Sequence, residues 1–350
     1  MKSNRLTLLR TSAQRLILLV VLASLLLACG VADPSLQPPS VDDNTVGAEP
    51  TGKILFVSDG QVAVWEDGDV RRLTEDANAA SPTWAPDGRR FAYVEMSDGF
   101  SELIVSDVDG DNTRQLTANE PDVEPYSEDF AYLAAWALDP EWSSAGNQII
   151  YASDNGGFDA FADPVYLWYI EDVNNVLIPP YVLEAAAGLD RFQENPTLSD
   201  DGDKAAFVTR TDESNTLRNT EIWTLDLNTG ENATLVSHPD GAYDPAWSPV
   251  TDDVAYIQRN GTNNDVWVAP VEEKGDGIPY QITNLGDCVA PTWSPDGRFI
   301  SFFRQEGSGF EAWYVEVTSD AFGKFSASAP ARLFEADGID APSGMSWIAD

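Results

Sequence analysis

Histidine occurs once in the 350 residues, at His238, and cysteine twice, at Cys29 and Cys288. One histidine leaves little for a Ser-His-Asp triad, and no G-x-S-x-G nucleophile elbow accompanies it. A zinc centre built from several His and Cys side chains is excluded by number. Positive charge is also scarce: 20 Lys and Arg stand against 58 Asp and Glu, for a net charge of −38. That field would repel a polyanion, so nucleic acid is excluded as a partner. Most of these acids read as solvation, or as an adaptation to a salt-rich habitat; the functional alternative is a basic partner. Long apolar runs are missing too. Residues 16–28 form a run of 13, short of the roughly 20 that a spanning helix needs.

What the chain does have is a repeated hairpin. PTWSPDGRFISFF (residues 291–303) nearly recurs as PTWAPDGRRFAYV (residues 82–94). Its centre is a four-residue turn, Ser294-Pro295-Asp296-Gly297, with Ser, Pro and Gly where a type I turn favours them. Trp293 precedes the turn, and an alternating run follows with Phe299, Ser301 and Phe303. Weaker copies put Trp142, Leu198 and Trp247 in the Trp position. The five copies are 58, 56, 49 and 46 residues apart, the spacing of four-stranded propeller blades. Each is followed by an apolar strand, an acidic or Gly-rich turn, and a strand often ending in Leu-Thr or Ile-Thr. A lone hairpin cannot bury its apolar face, so the copies must stack.

Residues 53–74 supply three strands and a terminal Leu-Thr but no Trp hairpin strand. Residues 341–350 supply a strand with Trp347 and then stop. The C-terminal strand is therefore expected to complete the N-terminal blade and close a ring of six, covering both open edges. In the third blade, residues 166–172 and 176–183 must serve as outer strands. The fold class is all-β. W-S-P-D-G hairpins with Leu-Thr blade ends resemble the TolB-type six-bladed propeller, and the same repeat occurs in the propeller domains of prolyl-oligopeptidase-like peptidases. The resemblance covers residues 53–350 and is carried most clearly by Trp84 to Gly88 and Trp293 to Gly297.

Ahead of the propeller, Lys2, Arg5, Arg10 and Arg15 precede the apolar run in the order of a secretory leader. Cys29 closes the run after Leu26-Leu27-Ala28, which resembles the bacterial lipobox. The resemblance implies cleavage before Cys29 and lipidation of its thiol; the competing reading is an ordinary leader with a chance cysteine. Residues 30–52 hold Pro34, Pro38, Pro39 and Pro50 among polar residues and no apolar periodicity, the composition of a tether. The expected organisation is a leader over residues 1–28, a lipidated tether over 29–52 and a propeller over 53–350. Such a protein would be extracytoplasmic and held to a membrane, in the periplasm or at the cell surface. Cys288 is expected to be a buried inert thiol.

In a propeller, the loops between blades and those joining second to third strands share one face, around the channel mouth. The residue before each inner-strand proline lies there: Ser81, Asp139, Asn195, Asp244 and Ala290. Asp139, Asn195 and Asp244 are expected to converge as a polar ring for a cation or a partner's basic group. The competing reading is that they cap strand starts and bind water. His238, in the loop entering the fifth blade, joins them as a mouth candidate, although local hydrogen bonding suits a loop histidine better. Two long loops complete the candidate surface. Residues 119–139 carry Tyr126, Glu128, Asp129, Tyr132 and Trp136, and residues 154–164 carry Phe158 and Phe161. Loops of this length are often functional, and aromatics among carboxylates suit a peptide or a carbohydrate. Alternatively Phe130, Tyr132 and Trp136 pack down as a small satellite core.

DVDGDNT (residues 107–113) invites a calcium reading. It fails the EF-hand pattern, with Gly fourth rather than sixth and Ala118 where the bidentate Glu belongs. Like residues 226–232, it reads as the turn between third and fourth strands. No cofactor is expected, with calcium at the mouth the one exception kept open. The sequence thus points to a non-catalytic, monomeric binding scaffold of the bacterial envelope that recognises a protein or peptide. The alternatives are a propeller hydrolase or lyase acting on a glycan or lactone through carboxylates, with or without calcium, and a solute-sensing lipoprotein.

Overall fold

The structure is a computed structural model, and it describes residues 49–75, 77–110, 112–125, 127–154, 165–175, 177–183, 192–210, 220–271, 277–320 and 323–350. The leader, Cys29, most of the tether, Tyr126, Phe158 and Phe161 lie outside the described residues.

Six antiparallel sheets follow one another along the chain. The inner strands of blades two to six are Ala79–Trp84, Ala137–Trp142, Gln193–Leu198, Ala242–Trp247 and Cys288–Trp293. Blade one is made as the sequence predicts. Lys53–Ser58, Gln61–Glu66 and Asp69–Arg72 are joined by Ser346–Ile348, with Ile54 opposite Trp347. The closure is reinforced on both sides. Trp347 Nε1 donates to Thr51 O at 3.0 Å, and Asp59 N donates to Gly338 O at 2.9 Å. In blade three, Tyr166–Ile170 and Tyr181–Val182 take the expected outer positions. Blade six differs from a simple four-strand count. Its third strand, Gly309–Ser319, is long enough to carry two outer partners, Phe325–Ala327 at one end and Ala331–Glu335 at the other.

The hairpin turn forms because its side chains replace missing backbone partners. Gly297 N donates to Ser294 O at 2.9 Å, and Phe299 N donates to Ser294 Oγ at 2.9 Å. Ser294 Oγ in turn donates to Asp296 Oδ1 at 2.6 Å. Gly297 takes φ +69, which suits glycine above other residues. The Trp position is buried in every blade, from Trp84 at 5% exposed to Leu198 and Trp347 at 8%. Each of these side chains packs on the strands of the preceding blade: Trp142 on Ala92, Leu103 and Val105, and Trp293 on Ala255, Ile257 and Val266. The core is thus a set of inter-blade seams, which is why one hairpin alone cannot fold.

The Leu-Thr ending also acquires a cause. Thr117 Oγ1 accepts from Leu103 N at 2.9 Å and donates to Glu102, whose other oxygen accepts from Asn119 N and Glu120 N. Thr283 repeats this with Val266 N and Asp265, whose carboxylate accepts from Leu285 N and Gly286 N. The threonine therefore lets a buried acid hold the first residues of the next inter-blade loop. The turn readings of 107–113 and 226–232 hold, since both link a third strand to a fourth. Cys288 is fully buried, and burial pushes its thiol up to about 12.

Candidate functional site

Each inner strand of blades two to six has a bulge at its X-Pro step. In blade two Ala80 pairs with Val94 and Thr83 with Ala92, so Ser81 and Pro82 together oppose one residue. The same shift recurs at Asp139-Pro140, Asn195-Pro196, Asp244-Pro245 and Ala290-Pro291. Proline has no N–H to give to a ladder, and a bulge on an edge strand tolerates it. The residue before it takes positive φ in all five: 45° at Ser81, 49° at Asp139, 47° at Asn195, 51° at Asp244 and 51° at Ala290. Proline normally drives its predecessor to extended geometry, so this is a strained conformation repeated around the ring. Gly344 holds the corresponding place before Trp347, with φ 72° and ψ −173°, a region essentially reserved for glycine.

The bulges turn these side chains toward the neighbouring inner strands. Asp139 joins three blades: Oδ1 accepts from Ser81 Oγ at 3.0 Å and Oδ2 from Asn195 N at 3.3 Å. Asp244 Oδ2 accepts from Ala290 N at 3.0 Å. Of the sequence candidates, Asp139 and Asn195 are in direct contact, and Asp244 sits at the same level of the ring. His238 does not join them. Its Nδ1 accepts from Asp240 N at 3.2 Å, a local turn contact.

Sequence reasoning missed a third carboxylate. Glu141 lies one residue before Trp142, where the other blades place Thr83, Thr197, Ala246, Thr292 and Ser346. Small hydroxyls at this level stitch blade to blade: Trp84 N donates to Ser346 Oγ at 3.0 Å and Trp247 N to Thr197 Oγ1 at 3.1 Å. Glu141 Oε2 accepts from Thr83 Oγ1 at 3.2 Å. The detectable signal was a single carboxylate in a column of Thr, Ser and Ala.

Burial raises all three acids. Asp139 is pushed up to about 6 by desolvation, which outweighs the Ser81 hydroxyl, and the Glu194 charge adds to it. Desolvation likewise lifts Asp244 to about 6 and Glu141 to about 7. The charge of Asp139 adds to the rise of Asp244. No Lys or Arg among the described residues forms an ion pair with any of the three. Nearby, Arg210 is already committed to Glu194 at 2.7 Å. Among the described residues no cluster of three or more His, Cys, Asp or Glu could hold a metal ion. The ring offers separate acceptors around an opening rather than a cage.

The 119–139 loop borders this ring. Its described part contains a short helix, Glu128–Leu133, capped by Ser127 Oγ accepting from Phe130 N at 3.0 Å. Phe130 packs down, 6% exposed and edge-on to Phe100 at 6.2 Å. Asp129 is exposed, Trp136 is half-buried with its backbone N–H donating to Asp154 Oδ1 at 2.9 Å, and Tyr132 is 61% exposed. The loop therefore divides, with Phe130 in a satellite core and Tyr132 facing solvent beside Leu133, itself 53% exposed. A cavity of about 980 Å³ lies elsewhere, between blades one and two, lined by Arg71, Tyr93, Ser106 and Thr113 among others. It shares no residue with the ring.

No family model matches the chain. It is 23% identical over 310 residues to dipeptidyl-peptidase 5 of Porphyromonas endodontalis, covering 81% of this chain and 36% of that protein. It is 24% identical over 229 residues to the Tol-Pal system protein TolB of Francisella tularensis, covering 62% of this chain and 44% of the relative. The chain thus spans less than half the length of either relative. Among solved structures, TolB from Acinetobacter baumannii superposes with a TM-score of 0.60 at 15% identity, covering 85% of this chain and 67% of that one. The fold is a TolB-type six-bladed propeller.

Proposed function

We propose that the chain is a non-catalytic binding scaffold of the bacterial cell envelope, recognising a protein or peptide through its basic groups at the channel-mouth face. One observation carries the reading. Asp139, Glu141 and Asp244 ring the channel, desolvated and without an ion-pair partner among the described residues. A Lys or Arg side chain entering there would meet prepared acceptors and relieve the repulsion between them. The exposed Tyr132 and Leu133, on the loop that leads into Asp139, suit an apolar contact with the same partner. The match to a Tol-Pal system protein supports a place in a multiprotein system. Lipidation at Cys29, the tether behind it and an extracytoplasmic location belong to the same proposal.

The test is a crosslinking pull-down from native membranes. Wild type would be run beside Asp139→Asn/Asp244→Asn and beside a variant with residues 119–133 replaced by a Gly/Ser link. One protein captured by wild type and lost from both variants, each melting no lower than wild type, supports the reading. Equal capture by all three overturns it. Glu141 favours a second reading, since an acid at about 7 suits general-acid chemistry on a glycan or lactone. Hydrolysis of a glycan or lactone panel that Glu141→Gln abolishes would support that reading over the first.

A further inference from the structure

Each blade ends in an outermost strand with backbone groups turned to solvent, and such edges invite pairing unless they are short or charged. Blades two, three and five have outer strands of two residues: Arg114–Gln115, Tyr181–Val182 and Tyr280–Gln281. Blade one carries Asp69, Arg71 and Arg72 on its four-residue edge, and blade six carries Arg332 and Glu335 on Ala331–Glu335. Blade four is the exception among the described residues. Asn232–Ser237 runs six residues, Asn-Ala-Thr-Leu-Val-Ser, with no charge and no proline. Asn232, Ala233, Thr234 and Ser237 are exposed. In a chain of net charge −38, an uncharged edge of that length is a departure from the surface around it.

We propose that this edge accepts an extended segment of a partner protein as a fifth strand, and that the segment is uncharged in the middle and basic at its ends. The register supports the first part. Asp226 N donates to Glu231 O at 2.8 Å, which makes Asp226 and Glu231 a bonded pair. Antiparallel alternation then makes Thr224 and Ala233 the next bonded pair, so the backbone groups of Asn232 and Thr234 point outward. A bulge opposite Ile222 and Trp223 follows, so the regular docking stretch is residues 232–234. Charge identifies the occupant. Asp226 and Glu231 stand at one end of the edge, and Glu221, opposite Ser237, at the other. A strand with Lys or Arg at both ends meets these acids. A second copy of this chain would bring the same acids against them, and its whole field would repel. The surface is separate from the channel mouth, so the proposal stands or falls independently of the ligand proposed there.

The test uses the full chain and a synthetic peptide, Lys-Thr-Val-Thr-Val-Thr-Val-Lys, carrying a benzophenone, with crosslinks mapped by mass spectrometry. Crosslinks are expected to concentrate on residues 232–237. A peptide with Glu at both ends, or with a central Pro, is expected to label that segment about tenfold less. Thr234→Pro removes an outward N–H and should lower the yield about as much. Because that variant could unfold, Asn232→Lys/Thr234→Lys serves beside it, placing charge on the edge without touching the ladder. Labelling spread evenly over the blades overturns the proposal, as does equal labelling by the acidic peptide or no loss in the folded double-lysine variant. A concentration-dependent dimer in sedimentation that the double-lysine variant abolishes would assign the edge to a second copy and overturn it too.

Discussion

The hairpin turns and the channel ring use the same chemical group in opposite states. In the turns, Asp87, Asp201 and Asp296 are held below the usual carboxylate range. For Asp87 burial would raise it, but the N–H groups of Arg89 and Arg90 and the Arg90 guanidinium outweigh that. Asp201 is lowered first by the Ser199 hydroxyl and then by Asp203 N–H. For Asp296 the Ser294 hydroxyl and Arg298 N–H overcome a burial effect of the opposite sign. In the ring, Asp139, Glu141 and Asp244 have no ion-pair partner among the described residues, and burial wins. The difference shows how a fold separates structural acids from available ones. A turn aspartate takes its donors from within a few residues of itself. A ring acid takes them from the neighbouring blades.

The two groups give opposite pH dependence, and the largest prediction exploits this. A raised native pKa means that the folded chain holds protons the unfolded chain has released. Stability therefore falls as pH rises from the ordinary carboxylate range near 4 toward 7. Each acid keeps some surface open to the channel, so the combined loss is set at about 3–5 kcal/mol rather than the full shift. The triple variant Asp139→Asn/Glu141→Gln/Asp244→Asn should be more stable than wild type by that amount at pH 7.5 and nearly equal at pH 4. Urea melts at the two values measure it. Parallel wild-type and variant profiles would mean that the ring acids are ionised and solvated like any surface group.

A second contrast concerns packing. Gly297 in a turn and Gly307 in the loop at the opposite end of its strand both have positive φ, 69° and 60°. A Cβ on Gly297 would stand 2.1 Å from Val250 Cγ2 in the next turn, whereas on Gly307 it would meet nothing within 4 Å. Both alanine variants bear the backbone cost, roughly 1 kcal/mol. Gly297→Ala should cost about 1 kcal/mol more, because Val250 must swing aside. Thermal melts of the two variants decide it; equal losses would show that the turns do not nest against one another.

Asp296→Ala probes the turn aspartate directly. It removes acceptors for Ser294 Oγ and Arg298 N at an exposed site, so the expected loss is about 0.5–1 kcal/mol. The sign is the reverse of the ring. A lowered native pKa stabilises above the ordinary value and is lost as pH falls through the native one, so wild type and variant should converge only in strong acid. A difference that instead grew on acidification would contradict the assignment.

These contrasts also mark what was legible in the sequence. Turn, Trp position and ring closure could be read because each is local and repeated. Pro295 and Gly297 fix a turn wherever they stand, and six seams each need one large apolar side chain. The mouth residues before proline could be placed, but not their positive φ, because the bulge arises from pairing with the second strand. Glu141 stood out only as a lone carboxylate in its column, and its state could not be read because it depends on Thr83, 58 residues away in the chain. The 119–139 loop could not be divided by composition. Phe130 and Tyr132 are equally aromatic, and only the helix started by Ser127 sends one inward and the other out.

The smallest prediction tests that long-range dependence. Thr83 is buried and gives Glu141 the one hydrogen bond that opposes desolvation. Thr83→Val keeps the shape and removes the donor. The Glu141 carboxyl should titrate higher still, by about half a unit, and stability at pH 7.5 should drop by about 0.5 kcal/mol as ionisation becomes harder. Asp139 and Asp244, with their own donors on Ser81, Asn195 and Ala290, should titrate as before. Carbon-detected NMR of the side-chain carboxyls separates the three. If all move together, the ring is one coupled unit and its acids cannot be assigned separate partners. If Glu141 alone moves, each blade tunes the acid of its neighbour, and a partner's cation would choose among three distinct acceptors.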